Sequence, residues 1–168
     1  CRHSIRDGFK RAGAQTVIAS NDCRHARGNR GSRGKSQMIG LDTNVLVRYI
    51  AQDDLKQSPK ATRLIESLTI DEPGYVSIIS VVELVWVLTG CYASTRAEIC
   101  EVLETLLRTK EIVVAHADTV WKALRLFKEG KADFADCLIE RSACEAGCGY
   151  TATFDRGAAK HCGMRLIE

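Results

Sequence analysis

Five carboxylates stand at points where a folded chain could gather them. Asp42 closes the short apolar run MIGLD (38–42), and Asp155 follows the run YTATF (150–154). Glu83 opens the helical pattern SVVELVWVLTG that succeeds the run GYVSII, and Asp133 and Asp136 stand i and i+3 at the start of a further helical pattern, on one face. Like charges at close range repel, and the usual remedies are protonation or a bound cation. Oxygen donors without Cys or His select hard ions such as Mg²⁺ or Mn²⁺. Two such ions about 3.5 to 4 Å apart clamp the attacking and leaving oxygens of a phosphodiester displacement.

Each acid also has a structural explanation. Glu83 lies three residues after Ser80, the spacing of a capping box. Asp133 suits an N-cap and Asp136 the first helical turn, while Asp42 and Asp155 suit turns after strands. Taken singly, each acid is a structural residue. Taken together they are a site, because independent caps have no reason to fall at the same edge of one sheet.

That edge follows from the elements. MIGLD reads as a strand and NVLVRYIAQ as a helix. SPKATRLIESL is a helix with Ser58 as N-cap, Pro59 at its first position and an apolar stripe of Leu64, Ile65 and Leu68. GYVSII is a second strand, followed by a buried helix stopped at Gly90; Thr95 and Glu98 form a capping box for the next helix. EIVVA is a third strand, DTVWKALRLFKEG a helix ending at Gly130, DFADCLIERSACEAG a helix ending at Gly147, and YTATF and MRLIE are the last strands. Strands alternating with helices predict an α/β fold in three layers: a central parallel sheet of about five strands with helices on both faces. Sites in such sheets lie at the carboxyl ends of the strands, where Asp42 and Asp155 fall.

The net charge of +3 hides an asymmetry. Residues 1–37 carry nine Lys or Arg against two acids, and residues 38–168 carry fifteen against nineteen. The first segment is rich in Arg, Gly and Ser and lacks apolar periodicity, so it reads as a disordered basic extension able to approach nucleic acid non-specifically. Met38, directly before the first strand, is the candidate natural start, and no signal peptide is expected. The longest apolar run, VSIISVVELVWVLTG, contains Glu83 and is too short for a span of about 20 residues.

Eight cysteines form no C-x-x-C pair; Cys137, Cys144 and Cys148 share a helical face and read as buried free thiols of a reducing cytoplasm. His3, His25, His116 and His161 are scattered singly, against a soft-metal cluster.

Three other motifs fail. GNRGSRGKS ends like a phosphate loop at Gly34, Lys35 and Ser36, but Asn29 stands where its first glycine belongs. A phosphatase with an aspartyl nucleophile would want a second Asp where Asn44 stands. A receiver domain would want paired acids beside Asp42.

IGLDTNVLVRYI, VSIISVVELVWVL, DFADCLIERSACEAGC and TATFDRGAAK, in this order over residues 39–160, resemble the PIN domain, and most nearly its VapC-type toxin ribonucleases. The resemblance implies catalytic and metal-binding roles for Asp42, Glu83, Asp136 and Asp155, with Asp133 as an additional acid. Thr43 and Asn44 would hold the first carboxylate or the phosphate, and Thr153 would support the last strand. It implies an Mg²⁺- or Mn²⁺-dependent endoribonuclease acting on structured RNA such as tRNA or ribosomal RNA, restrained by a cognate antitoxin, commonly homodimeric, without a membrane and cytoplasmic. Arg156 and Arg48 are candidate phosphate contacts at the rim, and Lys131 is read as a solvated cation. The rival expectations are a non-catalytic module that binds RNA or a protein partner, and a metal-dependent DNA nuclease.

Overall fold

The apolar run after Met38 forms strand β1 (Ile39–Gly40), and the computed structural model describes the chain from residue 37 to residue 168. What was expected of residues 1–36 lies outside the described residues. Leu41 still donates its N–H to Tyr75, but Asp42 turns the chain into helix α1 (Thr43–Ala51), whose Leu46, Val47, Tyr49 and Ile50 are buried. The β-branched residues that weaken its helix propensity are outweighed by that burial.

Helix α2 (Ser58–Glu66) begins one residue differently from expectation: Gln57 is its N-cap and Ser58 is already helical. Ser58 instead accepts the Asp54 N–H, while the Asp54 carboxylate accepts from Lys56 and Gln57. Pro59 stays in the first turn, where its missing N–H costs nothing.

Strand β2 (Gly74–Val76) is shorter than expected because Ser77, not Ser80, caps the following helix α3 (Ile78–Tyr92). The Ser77 Oγ accepts the Ser80 N–H at 3.0 Å. Val81, Leu84, Val85 and Leu88 bury one face of α3, and this burial carries the helix past Gly90, where a stop was expected, to Tyr92. Gly74 is required by packing: a Cβ there would stand 2.6 Å from Leu41 and 2.8 Å from Leu68.

Helix α4 (Arg96–Arg108) starts with the expected Thr95–Glu98 capping box, and strand β3 (Ile112–Val114) follows. Helices α5 (Ala117–Glu129) and α6 (Phe134–Glu145) pack on each other, with Phe127 and Phe134 edge to face at 5.8 Å. Strand β4 (Ala152–Thr153), helix α7 (Arg156–Cys162) and strand β5 (Arg165–Leu166) close the chain.

The α/β character and parallel pairing stand, and the single sheet of about five strands is corrected. β1, β2 and β3 form one parallel ladder in that order, and β4 pairs with β5 in a separate parallel ladder. Two-residue strands offer few ladder bonds, and at both β1 and β4 the chain leaves for an Asp-capped helix straight afterwards. The shared thiol face is also corrected. Cys137 is buried, but α6 ends at Glu145, so Cys148 lies beyond it, and Cys144 and Cys148 are exposed.

Candidate functional site

Strand β1 delivers Asp42 to the amino end of α1, where its Oδ2 accepts the Asn44 backbone N–H at 3.4 Å and the Asn44 side-chain amide at 3.1 Å. Asn44 thus holds the Asp42 carboxylate. Thr43 does something else. It is buried, and its Oγ1 donates to Glu83 Oε2 at 2.6 Å, tying the start of α1 to the second turn of α3. The Ser80–Glu83 capping box expected from spacing is absent, so the structural explanation of Glu83 falls away and its carboxylate is fixed by Thr43 instead.

Asp133 caps α6, its Oδ1 accepting the Asp136 N–H at 2.7 Å. Asp136 itself is half-buried. Burial is the main cause that raises its carboxyl above the usual Asp value; the charges of Asp133 and Asp155 add to it, as does a hydrogen bond with Asp133. A helix amino end ordinarily favours the charged carboxylate, so burial and like charge have outweighed the helix dipole.

Asp155 caps α7, with Oδ1 accepting from Gly157 at 2.5 Å and Ala158 at 3.3 Å. The Asp155 N–H donates to Thr153 Oγ1 at 3.0 Å, which gives Thr153 its supporting part at the strand end.

Asp133 and Asp155 therefore stand near enough to Asp136 for their charges to raise it, while Glu83 is tied to Thr43, the residue after Asp42. None of the five forms an ion pair with a described residue. The donors are all oxygen, which suits a hard divalent cation. In their present rotamers they do not enclose one: among the described residues no three Asp, Glu, His or Cys side chains are grouped closely enough to hold a metal ion. The caps account for this. Asp42, Asp133 and Asp155 are each turned toward backbone N–H groups, each through one oxygen.

Residues 39–163 match the PIN domain family. The chain belongs to the PIN domain family. Among known proteins, the VapC ribonuclease of Aquifex aeolicus (strain VF5) is 28% identical over 116 residues, which is 69% of this chain and 86% of that relative. The resemblance to VapC-type members read from the sequence is borne out by this match.

Around the acids of the PIN domain, the cations differ from expectation. Arg48 is half-buried, and its Nη1 stands 2.7 Å from both oxygens of Asp53 while its Nε donates to Gln57 at 3.0 Å. Its Nη1 and Nε are thereby engaged by the fold. Arg156 is exposed and pairs with no described carboxylate, and Lys131 is exposed likewise.

Sequence reading missed Arg96. At the first turn of α4 it donates to the carbonyls of Phe127 and Ala132, the latter at 2.9 Å, and its guanidinium stacks 3.9 Å from the Phe127 ring centroid. It thereby pins the turn between α5 and α6, which sets where Asp133 and Asp136 stand. Nothing local could have signalled this, since its partners are backbone carbonyls 31 and 36 residues away.

Proposed function

We propose that this PIN domain is a divalent-cation-dependent endoribonuclease, the toxin of a type II toxin–antitoxin pair, acting on tRNA or ribosomal RNA in the cytoplasm. The observation that carries it is the convergence of Asp133, Asp136 and Asp155, charges that oppose one another with no cationic partner among the described residues. Keeping such acids together costs stability, and a cation would repay it.

Asp42, Asp136 and Asp155 with Glu83 would hold Mg²⁺ or Mn²⁺, and Asp133 would assist. The ion would neutralise phosphodiester charge and lower the proton affinity of a reacting water. The protein's own residues supply the rest. Asn44 orients Asp42 through Oδ2, and Thr43 fixes Glu83 through Oε2. Asp136, whose carboxyl is raised by burial and by the charges of Asp133 and Asp155, would be the ligand whose strain a bound cation relieves most. Arg156 takes a phosphate at the rim, where its planar fork suits two oxygens.

A cognate antitoxin and a second copy of the chain complete the assembly. Helix α3 exposes Ile79 and Trp86, seven residues apart on one face, as an apolar surface for that copy. No helix among the described residues is long and apolar enough to cross a membrane.

One observation favours a second reading, a non-catalytic module that binds RNA or a partner: no three acids are grouped for a metal. Calorimetric titration of the full chain with Mn²⁺ separates the two. Binding abolished by Asp42→Asn, with Mn²⁺-dependent cleavage of tRNA or ribosomal RNA, supports the nuclease. Cleavage that survives chelator or Asp42→Asn overturns it, and cleavage of DNA alone makes the substrate DNA.

A further inference from the structure

The small β4–β5 ladder has an outer face unlike the rest of the surface. Along 150–154 exposure alternates: Tyr150, Ala152 and Phe154 are exposed, and Thr151 and Thr153 are half-buried. Tyr150 is 58% and Phe154 79% exposed, degrees that burial in a core cannot explain. Arg165 pairs with Ala152 in the parallel register, so it shares the face of Tyr150 and Phe154. Its guanidinium carbon stands 4.2 Å from the Tyr150 ring centroid. Ile167, whose N–H donates to Thr153, falls on the same face one pleat on. Neither YTATF (150–154) nor RLI (165–167) contains an acid.

We infer that this face is a stacking platform for unpaired bases of RNA, with Phe154 and Tyr150 each taking a base and Arg165 a phosphate or base face. The inference rests on the ribonuclease reading for its substrate and deepens it by naming how the RNA strand is held. Aromatic rings on an open sheet, interleaved with arginine, match the chemistry of single-stranded RNA, whose bases offer π-faces and whose backbone offers charge. The site is continuous with the acids. Phe154 directly precedes Asp155, with Cα atoms about 3.8 Å apart, and exposed Arg156 follows.

Tyr150 and Phe154 flank the two strand residues of β4, so an RNA strand engaging both rings would run along β4 toward Asp155.

Aromatics and arginine also enrich protein interfaces. RNA is favoured by the two exposed cations, Arg165 on the face and Arg156 beyond it, and by the junction with Asp155.

The test uses the full chain in chelator, so that binding is measured without cleavage, against a short fluorescein-labelled single-stranded RNA of mixed sequence. Phe154→Ala should weaken binding about tenfold, within the range measured for loss of one base stack, and Tyr150→Ala should weaken it to a similar or smaller degree. Phe154→Trp should keep the affinity and Phe154→Leu should not, with thermal unfolding unchanged in all four. Equal binding by the Leu and Trp variants overturns the platform, because mere apolar contact would then suffice. Unchanged RNA binding with a dimer or antitoxin complex that dissociates in Phe154→Ala also overturns it. Ring-dependent binding in a protein that never cleaves leaves the platform standing and removes the ribonuclease reading. Metal-dependent cleavage with unchanged RNA binding in the alanine variants does the reverse.

Discussion

Asp53 and Asp136 are both aspartates beside helix ends, and their surroundings push them in opposite directions. Burial alone would raise the Asp53 carboxyl, but hydrogen bonds from Tyr92 at 2.6 Å and from Arg48 at 2.7 Å outweigh it and hold the group below the usual Asp value. Asp136 has burial and two acids around it, and its carboxyl is raised. The paired acid ties α1 to the end of α3 and serves the fold. The unpaired one carries a cost that no partner among the described residues offsets, which marks Asp136 as a candidate functional acid.

The sharpest way to break this contrast is to remove each charge in turn. Asp136→Asn should lower cleavage by about a hundredfold or more. Its urea midpoint in chelator should not fall, because the amide removes a charge that Asp133 and Asp155 oppose. Full activity in this variant, or a loss of stability that alone accounts for the loss of activity, would erase the distinction drawn between the two aspartates.

Next in size is the clamp that sets Asp133 and Asp136. Arg96→Met keeps much of the side chain's bulk and loses both bonds to the carbonyls of Phe127 and Ala132. It should lower the free energy of unfolding by about 2 to 3 kcal/mol, the range for bonds from a charged donor. Cleavage should fall further than stability explains, since the turn carrying Asp133 is released. A urea titration paired with single-turnover rates checks both. Unchanged stability would mean that the clamp contributes nothing.

Thr43→Val is smaller and more local. The isosteric methyl leaves no cavity and removes the donor to Glu83, so stability should fall by about 1 kcal/mol. Cleavage should fall with it, because Glu83 loses the bond that orients it; Thr43→Ser, which keeps the hydroxyl, should restore the rate.

How far these roles were legible follows the range over which each signal acts. Local chemistry was readable: the Thr95–Glu98 capping box, Pro59 in the first turn of α2, the Gly130 stop and Asp133 as a cap are all set within a few residues, and all form. Competition between neighbouring caps was not. Ser77 and Ser80 both satisfy the rule for α3, and the earlier one caps it. Burial of Val81, Leu84, Val85 and Leu88 carries α3 through Gly90, against a local cost of about 1 kcal/mol. Sheet extent was beyond reach, because pairing depends on partners far away, and two-residue strands such as β1 and β4 carry almost no pattern. At the site, the types and order of the acids were readable, while Thr43 on Glu83 and Arg96 under the α5–α6 turn join residues more than thirty apart. The Arg48–Asp53 pair, five residues apart, was not foreseen either.

The smallest effect concerns that pair. The Asp53 carboxyl is held below its ordinary value of about 3.9, so its contribution to stability is present above that value and is lost as pH falls through the lower value of the folded state. Asp53→Asn keeps an acceptor for Tyr92 and Arg48 but has no charge to titrate. With the pair's side chains 29% and 36% exposed, solvent screening holds the cost at neutral pH to about 1 kcal/mol or less. Urea midpoints of the two proteins should differ at neutral pH and converge as the pH is taken below about 3.9. Cleavage at neutral pH should be unaffected. A gap that stays constant with pH would show that Asp53 acts through its shape and not its charge, and the contrast with Asp136 would then rest on Asp136 alone.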